Sequence, residues 1–320
     1  MTNSILTCIL FLLLFACEQK ERLVTATAAP NAGNAPEKLV NSPEFSGDNA
    51  LFHSLKIVSF GERHPDSPGA ARQLAYLKDE LARHGWSVQE QRFTSPTPSG
   101  EKNFVNLRAR FGNKADFSRP ADGIVSCHID TKTEIPGFVG ANDGASGAGA
   151  LLELSRILAG TPGQASRIEL VFFDGEESFG RHITPEDGLY GSRYYAGTLR
   201  DSLPVWMINL DMVGRQGMRI RIPSDTPLPF YQLYSRAIDD LKLPSRSWGV
   251  ASTTIIDDHA PFQEHGVATI NIIDDFSEGN WWHTAHDSPD ILSADSLHQT
   301  GRMTLYLCDK LLSPGSPYPR

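Results

Sequence analysis

Apolar residues recur along the chain in two rhythms. Short apolar runs occupy 123–127, 168–173, 205–210 and 267–273 and predict strands, as do the more polar segments 87–93 and 103–110 that precede them. Between them, apolar positions at helical spacing predict helices over 70–81, 145–158, 230–241, 261–265 and 295–312. The first of these has a start signal, with Ser67 placed as cap and Pro68 at the first helical position. Strands alternating with helices predict a single α/β domain with a buried, mostly parallel central sheet flanked by helices. Such sheets build their sites at the carboxyl ends of the strands, so the residues just after each run carry the search for chemistry.

One apolar run breaks the rhythm. Ile5 to Phe15 is short for a bilayer span and sits where the apolar segment of a signal peptide would sit. It ends in LFAC at 14–17, which resembles a bacterial lipobox, whose Cys becomes the lipidated first residue of the mature chain. An ordinary cleaved signal and an uncleaved anchor are the alternatives. No Lys or Arg precedes the run, a departure from the usual signal. The predicted organisation is a lipoprotein signal over 1–16, lipidated Cys17 with a flexible tether over 17–45, the folded domain over 46–313 and a tail over 314–320. Acyl chains on Cys17 would hold the protein on a membrane surface in a bacterial envelope. Glu18 in place of the Asp that marks inner-membrane retention favours the periplasmic face of the outer membrane.

Composition alters this picture little: 40% hydrophobic and 21% charged residues in a chain of 320 are enough for an ordinary core. Charge excludes more. There are 29 Lys and Arg against 38 Asp and Glu, a net −9, and no basic run reverses it, so nucleic acid is not an expected partner. Cys8 and Cys17 fall in the leader; Cys127 and Cys308 read as packed apolar thiols, with a disulfide between them as the alternative.

The strand ends, taken in order, are rich in ligand-type residues. His128 and Asp130 follow the third predicted strand, Asp143 stands in a turn before a helix, and Asp174, Glu176 and Glu177 follow the fourth. Asp211 ends the fifth, and His283 follows the sixth across a loop. Each alone has a bland explanation: an Asp before a helix is usually a cap, and paired glutamates are usually a solvated turn. Together they crowd carboxylates along one sheet edge, which requires a compensating positive charge. Carboxylate with imidazole is a natural zinc donor set.

These residues carry a family resemblance. CHIDTK at 127–132, VGAND at 139–143, LVFFDGEE at 170–177, DGLYGSR at 187–193, DDHAPF at 257–262 and WHT at 282–284 resemble the zinc exopeptidase family M28. Within it they resemble the glutaminyl-peptide cyclotransferase branch, as does RHPDSPGAAR at 63–72. The resemblance runs from about 50 to 312 and implies the zinc exopeptidase fold. It implies that Asp143, Glu177 and His283 hold one zinc, that Glu176 is the general acid and base, that Asp211 shares a proton with Glu176, and that Asp257 assists. In the family's aminopeptidases, His128 and Asp211 hold a second metal that Asp143 bridges. The implied activity turns an N-terminal Gln of peptides or proteins into pyroglutamate with release of ammonia. Hydrolysis of N-terminal residues by a two-metal aminopeptidase, and an inactive binding protein, are the alternatives.

Departures from the branch fall in the substrate pocket. Ile183 stands where a Trp is expected, Ile256 replaces a Gln and Asn271 replaces a His. Phe276, Trp281 and Trp282 offer an apolar wall. Other features carry less. GASGAGA at 144–150 matches no nucleotide loop and reads as small residues letting a helix pack closely. No G-x-S-x-G occurs. His53, His64, His84, His265 and His298 stand without ligand-type company, His259 reads as a partner behind the site, and His286 competes in position with His283.

Overall fold

The computed structural model describes residues 45–133, 135–199, 202–277 and 279–319. The signal over 1–16, Cys17 and the tether to 44 lie outside them. Helices α1 (Gly47–Val58) and α2 (Pro68–Arg83) lead into a long hairpin, β1 (Trp86–Thr97) and β2 (Gly100–Phe111). There follow β3 (Gly123–His128), α3 (Gly147–Ala159), α4 (Pro162–Ala165), β4 (Ile168–Phe173), α5 (Tyr190–Thr198) and β5 (Trp206–Asp211). Then come β6 (Ile220–Ile222), α6 (Leu228–Asp240), β7 (Trp248–Val250), α7 (Ala260–Glu264), β8 (Ala268–Ile273) and α8 (Ala294–Leu312).

Six strands form one sheet in the order β1-β2-β4-β3-β5-β8. β3, β4, β5 and β8 run parallel, while β2 pairs antiparallel with both β1 and β4. The four parallel strands are apolar runs because both of their faces are covered. Side chains alternate between faces. Val125, Cys127, Leu170, Phe172, Ile208 and Leu210 enter the core shared with α1, α3 and α8. Ile124, Val171, Phe173 and Met207 face the opposite way, into a smaller core with Tyr195 of α5 and Phe262 of α7.

The close packing expected behind Asp143 has a physical basis in two glycines of α3. A Cβ at Gly147 would come within 2.8 Å of Leu210 O and of Cys127 Cβ, and one at Gly149 within 2.5 Å of Ala50 O. Small residues therefore let α3 lie directly on the sheet and on α1. The predicted Ser67 cap is present, its Oγ accepting from Ala70 N at 3.1 Å. Cys127 and Cys308 are buried free thiols, so the disulfide alternative falls away. Among the described residues no helix is long and apolar enough to cross a membrane.

Among the described residues, α1, α4, α5, β6 and β7 have no sequence counterpart above. Helix α1 starts at a Ser46 cap immediately after the predicted tether. Helix α5 carries two glycines and β-prone tyrosines, a poor helical sequence that tertiary packing overrides. β6 and β7 are three residues each, too short to show a period.

Candidate active site

The carboxyl ends of the parallel strands deliver the site. β4 ends at Phe173, and the next three carboxylates diverge at once. Asp174 turns back to the hairpin: its Oδ2 accepts from Val105 N at 2.8 Å, and its own N donates to Asn106 Oδ1 at 3.0 Å. Gly175, at φ 79°, makes the turn, and a Cβ there would meet Phe104 at 2.4 Å. Glu176 and Glu177 then dock on the end of β3. Their main-chain N–H groups donate to Oδ1 and Oδ2 of Asp130 at 3.0 and 3.1 Å.

Asp143 sits in an irregular turn before α3, with φ −85° and ψ 96°, followed by Gly144 at φ 93°. The loop after β8 brings in His283, itself at φ 50° and stacked on Trp282 with ring centroids 4.0 Å apart. His283 Nε2 lies 3.4 Å from Asp143 Oδ2 and 3.3 Å from Glu177 Oε1. His128 Nε2 lies 3.1 Å from Asp143 Oδ1 and 3.1 Å from Asp211 Oδ1. Asp143 is thus shared by two compact donor groups, Asp143–Glu177–His283 and His128–Asp143–Asp211, each with its donor atoms within 4.8 Å of one another.

The donor chemistry fits a divalent cation. Asp143 Oδ2 and Glu177 Oε1 are buried acceptors with no hydrogen-bond partner among the described residues, and buried acceptors rarely stay unsatisfied. Proton affinities show the same demand for positive charge. Burial works against the charged imidazolium of His283, yet Asp143 and Glu177 outweigh it and raise the group to about 10. Burial opposes ionisation of Asp143, but His128 and His283 hold it below the usual carboxylate range. Lys132, buried, adds a further cation 3.4 Å from Glu177 Oε2 while donating to Ser178 O and Oγ, both at 2.7 Å.

Glu176 lies in the other regime. Burial pushes it well above the carboxylate range; His128 opposes the shift, and Glu177, Asp257 and Asp258 add to it. Burial with nearby Asp257 likewise lifts Asp211 to about 8, against the pull of His128. Glu176, Asp211 and Asp257 face a cavity of about 290 Å³, at the small end for ligand sites, whereas Asp258 is buried behind it. Asp143, Glu176, Glu177, Asp211, Asp257 and His283 form its polar side. Ile183, Ile255, Ile256, Ile273, Phe276 and Trp282 form the apolar side, with Arg181 and His182 also on the lining.

Asn271 does not line this cavity, contrary to its placement in the substrate pocket. It is fully buried behind the wall, where its Nδ2 donates to Asp257 Oδ2 at 2.7 Å. The reason is register: Asn209 of β5 and Asn271 of β8 are paired residues, and Asn209 Nδ2 donates to both Asp257 Oδ1 and Asn271 Oδ1. Ser126 of β3 completes the row by donating to Asn209 Oδ1 at 2.6 Å. Trp281 is buried beside Met212 and Ile273 rather than on the lining. His286 is exposed and belongs to neither donor group.

Sequence reasoning gave no role to Asn209, Lys132 or Asp287. Each is a buried polar residue whose importance lies in its partners, and a strand position such as Asn209, polar within an apolar run, was the one visible signal.

A mostly parallel sheet whose strand ends gather histidines and carboxylates around a shared Asp defines a metallo-exopeptidase type of α/β protein. Residues 106–308 match Peptidase family M28, and the chain belongs to that family. It is similar to a glutaminyl-peptide cyclotransferase of Boiga irregularis, 37% identical over 152 residues, covering 42% of this chain and 40% of that protein. The alignment thus spans less than half the length of that curated relative. Among solved structures, a glutaminyl cyclase from an Acidobacteriales bacterium superposes with a TM-score of 0.72 at 30% identity, covering 89% of this chain and 98% of its own. The glutaminyl cyclase of Porphyromonas gingivalis gives 0.75 at 25% identity, covering 86% and 100%.

Proposed function

We propose that the chain is a zinc-dependent glutaminyl-peptide cyclotransferase acting on the N-terminal Gln of exported peptides or proteins. The observation that carries the reading is the division within one loop: Glu177 faces His283 and Asp143, while its neighbour Glu176 lines the cavity as a buried carboxyl of raised proton affinity. The similarity to glutaminyl cyclases, which extends over nearly the full length of the solved ones, supports cyclisation over hydrolysis.

Asp143, Glu177 and His283 would hold one zinc per chain. The bound ion supplies Lewis-acid polarisation of the side-chain carbonyl. In this reading the substrate's α-amine nitrogen attacks its own side-chain amide carbon, a C–N bond forms in the lactam ring, and the amide C–N bond breaks. Glu176 accepts the proton that the amine loses and returns it to the departing nitrogen, which leaves as ammonia. Asp211 would share a proton with Glu176, Asp257 adds to the raised proton affinity of Glu176, and Asn209 and Asn271 hold Asp257 in place. The apolar wall, with Phe276 and Trp282 4.7 Å apart, would exclude water from the reacting carbon.

One observation favours a second reading. The His128–Asp143–Asp211 group is as compact as the first, so a second metal and aminopeptidase hydrolysis have a place to occur. A peptide beginning with Gln decides between them. Cyclisation releases ammonia and leaves the peptide bond intact; release of free Gln overturns the proposal. Zinc content separates the readings too, at one or two ions per chain.

For the N-terminus we propose export and lipid anchoring through Cys17, supported by the apolar run before it. Cys17 lies outside the described residues. Labelling with a radioactive fatty acid, lost in Cys17→Ala, tests the anchor.

A further inference from the structure

The segment 63–72 was singled out in the sequence, yet nothing in the reaction uses it. Its first residue, Arg63, is fully buried in the loop between α1 and α2. A buried guanidinium usually sits against a carboxylate. Among the described residues Arg63 makes no ion pair; it donates to main-chain carbonyls instead. Nη1 reaches Val139 O at 2.6 Å and Gly61 O at 3.1 Å, and Nη2 reaches Gly140 O at 3.1 Å. Its main-chain N donates to Thr131 Oγ1 at 2.8 Å, on the segment after His128. Val139 and Gly140 lead directly into the irregular turn that carries Asp143. Gly140 itself is left-handed, at φ 48°, and a Cβ there would meet Asp143 O at 2.2 Å.

Asp287 holds the same turn from the other side. Its carboxylate accepts from Asn142 N at 2.7 Å and Asp143 N at 3.0 Å, and its main-chain oxygen accepts from Ala141 N at 3.4 Å. Asp287 is buried and lies four residues after His283, in the same loop. One side chain from the His283 loop therefore binds the backbone of the Asp143 loop. An irregular turn next to Gly144 at φ 93° keeps one shape only when its polar groups are tied down on both sides.

We infer that Arg63 and Asp287 are positioning residues that set the spacing between Asp143 and His283, and through it the retention of the metal. The inference rests on the ligand set proposed above but not on the reaction. Neither residue lines the cavity, so neither is expected to touch substrate. Their chemistry differs: Arg63 supplies a fork of donors to carbonyls, which a single ammonium cannot reproduce. Asp287 supplies two acceptors to adjacent N–H groups, which an amide cannot reproduce.

The full chain tests this with Arg63→Met, Arg63→Lys, Asp287→Asn and, as control, the exposed Arg72→Met, which removes a donor to Phe60 O near the same loop. Zinc affinity is read by competition with a chromophoric chelator, and melting temperature is read with and without zinc. Arg63→Met and Asp287→Asn should weaken zinc binding about 10- to 100-fold, the usual effect of losing a group that orients metal ligands. Arg63→Lys should fall between, and Arg72→Met should match the native chain. The zinc-induced rise in melting temperature should shrink in the three variants, a change that mere loss of packing would not produce. At saturating zinc, KM should stay within about twofold of native. Variants that fold and hold zinc as tightly as the native chain overturn the inference; if Arg63→Met does not fold, Arg63→Lys and Asp287→Asn decide. A native chain that binds no zinc sinks the ligand set and the inference with it. Zinc binding weakened in the variants, from a native chain that does not cyclise Gln, upholds the inference and overturns the proposed reaction alone.

Discussion

Asp130 Oδ2 accepts a hydrogen bond from the main-chain N–H of Glu177 at 3.1 Å, so the end of β3 carries the loop at the end of β4. The other oxygen of Asp130 takes the N–H of Glu176 at 3.0 Å. One buried carboxylate thus sets the backbone of both glutamates. Asp130→Ala leaves two buried N–H groups without acceptors, at about 1–3 kcal/mol each when unsatisfied. Chemical denaturation should show a stability loss of that order, with zinc affinity and turnover both reduced. Asp130→Asn keeps one acceptor and should fall between; native turnover in Asp130→Ala would sever this loop's geometry from catalysis.

The two glutamates should fail in different ways. Glu176→Gln removes the proposed proton carrier but no donor of either metal group, so kcat should drop about 100- to 10,000-fold while zinc content holds. Glu177→Gln replaces a charged acceptor facing His283 and should weaken zinc binding first. Zinc analysis beside turnover checks both, and equal metal loss in the two variants would refute the division of labour.

The sheet was legible in the sequence because its parallel strands are buried on both faces, which leaves apolar runs such as 168–173 with sharp ends. The convergence of His128, Asp143, Glu177, Asp211 and His283 was legible for a related reason, since parallel topology sends those ends to one edge. Supporting residues were hidden. Asn271 took a pocket role from its departure in the sequence, whereas its partner across β5 and β8 turns it toward Asp257 from behind. Register is a relation between two strands, and neither strand shows it alone. Asp287 was passed over likewise, because its worth lies in two N–H groups some 145 positions away.

Ile256 should affect substrate binding without affecting the fold. It is 60% exposed and still lines the cavity, an apolar side chain left open to solvent at a polar site. Ile256→Asn should change stability by no more than about 0.5 kcal/mol. Partial burial of Ile against a bound peptide contributes on the order of 1 kcal/mol. Expected kinetics are therefore a KM raised about fivefold with kcat held, the pattern of lost uniform binding. An unchanged KM across peptides with apolar second residues would remove Ile256 from the substrate wall.

Away from the site, two histidines should make the fold acid-sensitive. His53 packs between α1 and α2 with its Nδ1 2.6 Å from Tyr76 Oη, and His84 lies with its Nδ1 2.7 Å from Ser155 Oγ. Burial lowers both from the ordinary 6.5, with Glu80 opposing the shift in each. In both cases the folded chain binds protons less readily than the unfolded one. Their contribution is complete above pH 6.5 and is lost as pH falls through the depressed folded values, because the unfolded chain takes up protons first. In chelator-treated protein, a His53→Gln/His84→Gln variant should lose less stability than the native chain between pH 6.5 and 5. Urea midpoints across that range measure the difference, and parallel curves for the two chains would show that these histidines do not set the acid limit.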